Sequence, residues 1–278
     1  MKVWSRDEQV EAAAFEATAV RLAVAAGERI TTAVNGALDV HFKETRPEWA
    51  PNSNPVSDVD RSVEHFIRAE IAAAHPQDAI IGEEHGPGGP PGAPVSWVID
   101  PVDGTCNFIN GVPLYACSIG VLREGWPVAG AIWCAATHAV GAGVYHAHAG
   151  GPLHFNGRPL ARRRPGAWRG LAAEHGRTSR YAGSWDIRVL GTSAVEFAWV
   201  ACGVLRLAHM PRPGLWDAAA GLALLNAAGC QALTWERGQW TPLVRFNPAA
   251  GKLAAWKQPI LIGAAEDVAA ALQDARTP

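Results

Sequence analysis

The sequence predicts an α/β (α+β) fold, and three stretches of the chain carry that prediction. Residues 6–40 are rich in Ala and place apolar side chains at helical spacing, which indicates two packed helices separated near Gly27. Residues 116–122 and 128–133 are apolar runs joined by Arg-Glu-Gly-Trp, a pattern typical of an antiparallel hairpin. The second half alternates apolar strands with helices. No linker and no internal repeat separates these stretches.

The remaining elements follow from shorter patterns. Ser57 is expected to cap a helix that carries four apolar residues on one face, namely Val59, Val63, Ile67 and Ile71. Further strands are predicted at 140–145, 243–244 and 260–263, and a last helix at 268–272. Residues 86–94 are almost entirely Gly and Pro, so they are expected to lack regular structure and to form a mobile flap.

Composition is that of an ordinary globular protein. The chain has 278 residues, is 49% hydrophobic and 18% charged, and carries a formal net charge of −2. The net charge does not indicate a nucleic-acid partner. No apolar run is long enough to span a membrane, and the first residues lack the apolar core of a signal peptide. We therefore expect a cytoplasmic protein. Twelve tryptophans favour a homodimer in which some of them lie at an interface.

The most informative segment is residues 97–108, where an apolar run ends in Asp100, Pro101, Asp103 and Gly104. Pro101 predicts that the strand stops there, because proline cannot donate to a central ladder. The two carboxylates would then lie at the carboxyl end of a strand, where open α/β sheets bind ligands. A strand followed by an ordinary acidic turn is the alternative interpretation.

Two further segments end in carboxylates. Residues 79–84 form an apolar run that finishes in Gly-Glu-Glu, and residues 215–222 place Asp217 at the start of a helical run. Asp217 could be a metal ligand or simply the N-cap of a helix that Gly229 closes.

Together these motifs resemble the inositol monophosphatase family of magnesium-dependent, lithium-sensitive phosphatases. Residues 82–84 are similar to the family's G-E-E, residues 100–105 to its D-P-x-D-G-T, and residues 216–221 to its W-D-x-A-A-G. The resemblance implies a layered α-β-α-β-α sandwich. It also implies an N-terminal α+β half, residues 1–150, and a C-terminal α/β half, residues 151–278, with the site at their junction.

The resemblance implies a role for each residue of the motifs. Two or three Mg²⁺ ions would be held by oxygen atoms, the ligands this ion prefers, from Glu83, Asp100, Val102 (its carbonyl), Asp103 and Asp217. Gly104 and Thr105 would offer backbone amides to the phosphate. Thr105, paired with an aspartate, would also orient the attacking water.

The sequence departs from the family at two positions. The aspartate expected to partner Thr105 falls on Asn54, although Asp58 and Asp60 are near in sequence. A substrate-binding glutamate of the inositol enzymes is replaced by Met210.

Two other residues are candidates to bind the substrate. Arg212 either binds an additional anionic group or is merely solvated. Glu196 is the candidate to bind a substrate hydroxyl or amine.

The predicted function is Mg²⁺-dependent hydrolysis of a small-molecule phosphate monoester, inositol-1-phosphate or a related compound. Histidinol phosphate, fructose bisphosphate and phosphoadenosine phosphate are alternative substrates within the family. A catalytically weak relative that serves as an anion-binding or regulatory module is the alternative from another class.

Two remaining features concern cysteine and histidine. The five cysteines are odd in number and lack C-x-x-C spacing, so reduced thiols are expected, with Cys106 exposed enough to oxidise. His146 and His148 could ligate a metal, but no third ligand is close in the sequence, so a surface strand or turn is the preferred interpretation.

Overall fold

The computed structural model describes residues 2–34, 36, 40–42, 55–163, 170–175, 185–247 and 253–274. The described helices are α1 (Arg6–Val34), α2 (Asp58–Ala74), α3 (Thr105–Ile109), α4 (Ser193–Cys202), α5 (Leu215–Ala228) and α6 (Ala265–Asp274). The described strands are β1 (Val40–Phe42), β2 (Pro55–Ser57), β3 (Ala79–Gly82), β4 (Gly86–Gly88), β5 (Val95–Asp103), β6 (Ala116–Arg123), β7 (Trp126–Cys134), β8 (Gly143–His148), β9 (His154–Phe155), β10 (Arg158–Pro159), β11 (Leu171–Glu174), β12 (Asp186–Arg188), β13 (Leu207–Met210), β14 (Gln231–Glu236), β15 (Gln239–Pro242) and β16 (Ile260–Gly263).

Two large sheets organise these elements. The first has eight strands in the order β10-β9-β8-β7-β6-β5-β3-β4, and the second has six in the order β12-β11-β13-β16-β14-β15. Strands β6 and β7 form the predicted antiparallel hairpin. Strand β5 pairs in parallel with β3 and antiparallel with β6, so it lies inside the first sheet.

The layers follow from which side chains share a core. One core joins α1 and α2 to one face of the eight-stranded sheet, for example through Leu22, Ile67 and Ile119. A second core packs α4 and α5 between the two sheets, and a third packs α6 against the outer face of the six-stranded sheet. The predicted α-β-α-β-α sandwich is confirmed. The division into halves at residue 150 stays a prediction.

Helix α1 corrects the prediction of two helices over residues 6–40. It is a single helix of 29 residues that continues through Gly27. A Cβ atom at Gly27 would lie only 2.3 Å from the ring of Trp133 on β7, so glycine here lets the helix approach the sheet. Close packing therefore outweighs the cost of about 1 kcal/mol for glycine inside a helix.

Strand β5 corrects the prediction that Pro101 ends the strand. The strand runs to Asp103, and its register with β6 shifts between Asp100 and Asp103. Pro101 lies within that irregularity, where no ladder hydrogen bond from its nitrogen is needed. The shift leaves Asp100 and Asp103 at the end of a central strand.

Residues 86–94 are not wholly irregular, because Gly86–Gly88 forms β4 against β3. Mobility of this segment stays a prediction. Two other boundaries were also misplaced: the strand predicted at 140–145 is Gly143–His148, and the one predicted at 243–244 ends at Pro242.

The predicted cap of α2 is confirmed, since Ser57 and Asp60 bond each other's backbone amides in a capping box. The predicted helix at 268–272 lies within α6. Among the described residues, no helix is both long and apolar enough to cross a membrane.

Candidate active site

Three carboxylates from two distant segments meet between the sheets. Asp100 and Asp103 come from the end of β5 and Asp217 from the first turn of α5, and one oxygen of each lies within 4.8 Å of the others. Asp100 is only 1% exposed, and its buried Oδ1 has no hydrogen-bond partner among the described residues. Such a group of convergent oxygen atoms could hold a metal ion.

Helix α5 fixes the position of Asp217. The cap residue is Gly214, whose amide donates to Oδ2 of Asp217 over 2.5 Å. The interpretation of Asp217 as the N-cap is therefore wrong, because Asp217 is the third residue of the helix. The helix ends as predicted at Gly229 in a left-handed conformation.

Asp103 is held by residues at the start of α4. The Thr192 hydroxyl and the Ala194 amide both donate to Oδ2 of Asp103, the amide over 2.7 Å. Thr192 also caps α4. Sequence reasoning assigned Thr192 no role.

The carboxylates of the cluster favour protonation while no cation is bound. Burial, and then the negative charges of Glu83, Asp103 and Asp217, raise the pKa of Asp100 well above its ordinary value. Burial raises the pKa of Asp103 to about 6, although its bonds from Thr192 and Ala194 act in the opposite direction. Burial and the charges of Asp103 and Glu83 raise the pKa of Asp217 to about 7.

Glu83 lies beside this group, half-buried, directly after β3. Its amide donates to the Ile99 carbonyl of β5 over 3.1 Å. The fully buried Glu64 of α2 holds the same loop, because it accepts from the amides of Glu84 at 2.7 Å and His85 at 3.0 Å. Sequence reasoning missed Glu64, which carries no motif of its own.

Thr105 has a carboxylate partner, and that partner is Asp60. The Thr105 hydroxyl lies 3.1 Å from Oδ1 of Asp60 and 2.9 Å from the Val102 carbonyl. Ser57 donates to the other oxygen of Asp60 through both its amide and its hydroxyl. Asn54, where the sequence comparison placed this partner, lies outside the described residues. Because Asp60 supplies a carboxylate to Thr105, the threonine has the kind of partner that the family's pattern implies.

Gly104 turns the chain from β5 into α3. Its φ of 87° lies in the left-handed region, and a Cβ atom there would come within 2.9 Å of the Leu114 carbonyl oxygen. Both restrictions favour glycine. Cys106 in the same helix is exposed, as predicted.

A cleft of about 500 Å³ opens above Asp103 and Asp217. Its lining also includes His175, Met210 and the exposed Arg212. Glu196 is fully buried, and both of its carboxylate oxygens lie 2.8 to 2.9 Å from Nε2 of His175. Burial lowers the pKa of His175, but the bond and charge of Glu196 outweigh burial and leave that pKa raised. Sequence reasoning missed His175.

A layered sandwich with clustered carboxylates at the junction of its sheets is the architecture of a class of phosphate-releasing enzymes. The model of the inositol monophosphatase family matches residues 11–269, so the chain belongs to that family. It is accordingly a phosphoric monoester hydrolase.

Individual relatives agree with this assignment. The uncharacterized protein y4fL of Sinorhizobium fredii is 38% identical over 192 residues, which are 63% of this chain and 64% of that protein. The histidinol-phosphatase of Mycobacterium tuberculosis is 30% identical over 229 residues, which are 75% of this chain and 84% of that protein. The structure of the extragenic suppressor protein suhB from Bartonella henselae superposes with a TM-score of 0.75 at 24% identity, covering 94% of this chain and 98% of that one, which supports the fold.

Proposed function

We propose that this protein hydrolyses a small-molecule phosphate monoester at the carboxylate cluster, with Mg²⁺ as its metal. The main support is the convergence of Asp100, Asp103 and Asp217 within 4.8 Å, with a buried oxygen of Asp100 that no described residue hydrogen-bonds. Buried carboxylates at this separation repel one another unless protons or a cation neutralise them. The donor set fits a hard divalent ion.

Two or three ions would be held by the three aspartates together with Glu83 and the carbonyl of Val102. All of these donors are oxygen atoms, which Mg²⁺ prefers over nitrogen and sulfur. When bound, the metal neutralises phosphoryl charge and lowers the pKa of a coordinated water, which makes that water a nucleophile near neutral pH.

Thr105 and Asp60 would orient the attacking water. The Thr105 hydroxyl donates to Asp60, so its oxygen is left to accept a hydrogen bond from water. Asp60 is buried and fixed by Ser57, so the acceptor at the end of this chain of bonds is held in place. A proton leaving the water would pass to Thr105 as the Thr105 proton passes to Asp60.

The phosphate would lie against the backbone amides of Gly104 and Thr105. Amides at the start of a helical turn form an anion site, and the left-handed Gly104 lets the backbone come close. No covalent bond between protein and phosphate is required.

The rest of the substrate would occupy the cleft beside Met210. This cleft carries the cationic Arg212 and the hydrogen-donating His175, and Met210 stands at the position where the inositol enzymes have a glutamate. Such a lining favours a phosphate ester with a further anionic group over a neutral polyol phosphate. Fructose bisphosphate and phosphoadenosine phosphate meet that description better than inositol-1-phosphate does. Histidinol phosphate is kept as a candidate because a relative carries that activity in its name.

The test is phosphate release from these four compounds, measured with Mg²⁺ and with a chelator. Mg²⁺-dependent release from at least one compound, lost in Asp100→Asn, would support the proposal. Full activity in Asp100→Asn would contradict the assigned ligands. No release from any compound, despite Mg²⁺ binding, would favour an anion-binding or regulatory module. The homodimer, the absence of a nucleic-acid partner and the cytoplasmic location stay predictions.

A further inference from the structure

A second group of ionisable side chains lies between α1 and the eight-stranded sheet. Glu16 projects from α1 toward His146 and His148 of β8 and His154 of β9. Because side chains alternate along a strand, both β8 histidines lie on the face opposite Ala147, which packs in the core between the two sheets. The group is therefore separated from the carboxylate cluster by the sheet. The expectation of a surface strand is wrong for His146, which is 7% exposed.

The atoms of this group converge on one oxygen of Glu16. His146 Nδ1 lies 2.6 Å from Oε1 of Glu16, and His154 Nδ1 lies 3.6 Å from the same oxygen. One ligand atom from each of the three residues lies within 4.8 Å of the others. Neighbouring ligands of a tetrahedral zinc ion are about 3.4 Å apart, since zinc bonds nitrogen and oxygen at about 2.1 Å. Small movements would bring the three atoms to that spacing.

One nitrogen of the group stands apart from the hydrogen bonds of its neighbours. In the part of the chain that the structure describes, the buried Nδ1 of His154 has no hydrogen-bond partner, although it lies 3.6 Å from Oε1 of Glu16. The rings of His146 and His154 are stacked, with centroids 5.0 Å apart and planes 8° from parallel. Burying a polar atom unpaired is costly, so a group that binds this nitrogen would offset that cost.

The donor types select the kind of ion. Two imidazoles and one carboxylate suit zinc and its neighbours among the transition metals, whereas Mg²⁺ prefers oxygen alone. Burial would raise the pKa of Glu16, but hydrogen bonds from His146 and His148 outweigh burial and leave the pKa lowered.

We propose that Glu16, His146 and His154 bind a zinc-class divalent transition-metal ion, with water completing its coordination. His148 would keep its bond to the second oxygen of Glu16 and so hold the carboxylate in orientation. The ion would join α1 to β8 and β9. Glu16 and His146 alone are 130 residues apart in the sequence. Its direct effect would be to stabilise the fold at this interface.

Binding requires one rearrangement. The Gly157 amide donates to Nε2 of His146 over 3.1 Å, so the imidazole proton lies on Nδ1 when no metal is bound. Coordination through Nδ1 moves that proton to Nε2 and leaves the Gly157 amide without its acceptor. Gly157 is exposed and follows Asn156 in a tight turn, so its amide can turn to water. The loss of this bond limits the affinity without preventing binding.

Cobalt(II) separates the two metal sites in one experiment. A four-coordinate Co²⁺ with nitrogen ligands absorbs strongly in the visible range, while a six-coordinate all-oxygen site absorbs weakly. The 278-residue chain would be titrated with Co²⁺ in excess Mg²⁺, which would occupy the carboxylate cluster. We expect one equivalent of Co²⁺ to give the strong band, and Zn²⁺ to displace it.

Variants assign the band to residues. His154→Gln and Glu16→Gln should lower the Co²⁺ affinity at least 10-fold. Asp217→Asn, in the carboxylate cluster, and His65→Gln, an exposed histidine elsewhere on α2, should leave the band unchanged. Absence of the band in the unmodified protein, its loss in Asp217→Asn or its persistence in His154→Gln would each overturn the proposal.

A second measurement covers variants that fail to fold. In the unmodified protein, Zn²⁺ should raise the Tm and shift the imidazole nitrogen resonances of two histidines. If Zn²⁺ in excess Mg²⁺ moves neither quantity, the group is a hydrogen-bonded support for Glu16 and not a metal site.

Discussion

The hydroxyl of Thr105 lies 3.1 Å from Oδ1 of Asp60, a residue 45 positions earlier in the chain. Asp60 lies in the first turn of α2 and Thr105 begins α3, so the contact joins the helix that covers the large sheet to the end of its central strand. The aspartate also closes the capping box of α2. One carboxylate thus serves both the local fold and the candidate active site.

Asp60→Asn should reduce kcat by about 100-fold or more, because an amide cannot take up the proton that Thr105 would pass on. The measurement is steady-state hydrolysis of whichever ester the protein accepts, with KM expected to change little. Asp58→Asn is the matched control, since Asp58 is exposed and lies two residues before Asp60 in the same first turn of α2. Equal losses in the two variants would mean that the effect comes from the helix terminus and not from Thr105.

Mg²⁺ should raise the Tm of the protein, because it binds the folded carboxylate cluster and not the unfolded chain. At 100 times the dissociation constant the gain in the free energy of unfolding would be about 2.7 kcal/mol. Asp217→Asn should reduce this gain and also raise the Tm of the metal-free protein, since one repelling charge is removed. A Tm insensitive to Mg²⁺ in the unmodified protein would contradict the metal site.

The metal-free protein should lose stability as the pH rises from about 4 to about 7. The folded-state pKa is about 6 for Asp103 and about 7 for Asp217, against an ordinary value of 3.8. The folded state therefore holds more protons than the unfolded state in this window, and its stability falls as the pH increases. Thermal unfolding in chelator across the window tests the sign, and saturating Mg²⁺ should flatten or reverse the slope.

His175→Gln should raise KM for a doubly anionic ester by about 10-fold, because the variant loses the binding free energy of about one charge-assisted hydrogen bond. It should change KM much less for a monoester that is neutral beyond its phosphate. Glu196→Gln should have a similar but smaller effect, because it acts only through His175. Equal changes for both kinds of ester would show that His175 supports the cleft without selecting among substrates.

Gly27→Ala should destabilise the fold by about 1–3 kcal/mol, the usual cost of overpacking. The added methyl group would meet the Trp133 ring at 2.3 Å, and alanine's higher helix propensity offsets only part of that cost. Denaturant unfolding would measure it, with Gly36→Ala as a control whose Cβ would meet its nearest neighbour at 3.4 Å. A stabilised Gly27→Ala variant would mean that Trp133 moves freely.

The grouping of the carboxylates could be predicted because each motif is local in the sequence, and the five-layer fold because these motifs resemble those of the inositol monophosphatase family. Each motif combines a strand or helix end with its polar residues within a few positions. The supporting residues could not be predicted in this way. Thr192 reaches Asp103 across 89 residues, and Glu64 reaches the Glu84 amide across 20.

The errors have the same origin. Gly27 is a helix breaker by propensity, and only the approach of Trp133 explains why the helix continues. His146 and His148 lack a neighbouring ligand in the sequence, yet Glu16 lies against both. Contacts of this kind are set by how sheets and helices pack, and they leave no periodic pattern in one chain.

The location of Asp217 on α5, the helix packed between the two sheets, has a consequence for folding. Strand β5 can present Asp100 and Asp103 once the first sheet has formed, but the third carboxylate arrives only when α5 has packed onto that sheet. Partly folded chains would thus show no activity in a hydrolysis assay, even when most of their secondary structure has formed. Recovery of activity during refolding would time the closure of the sandwich, and a lag behind the recovery of circular dichroism would measure how late that step occurs.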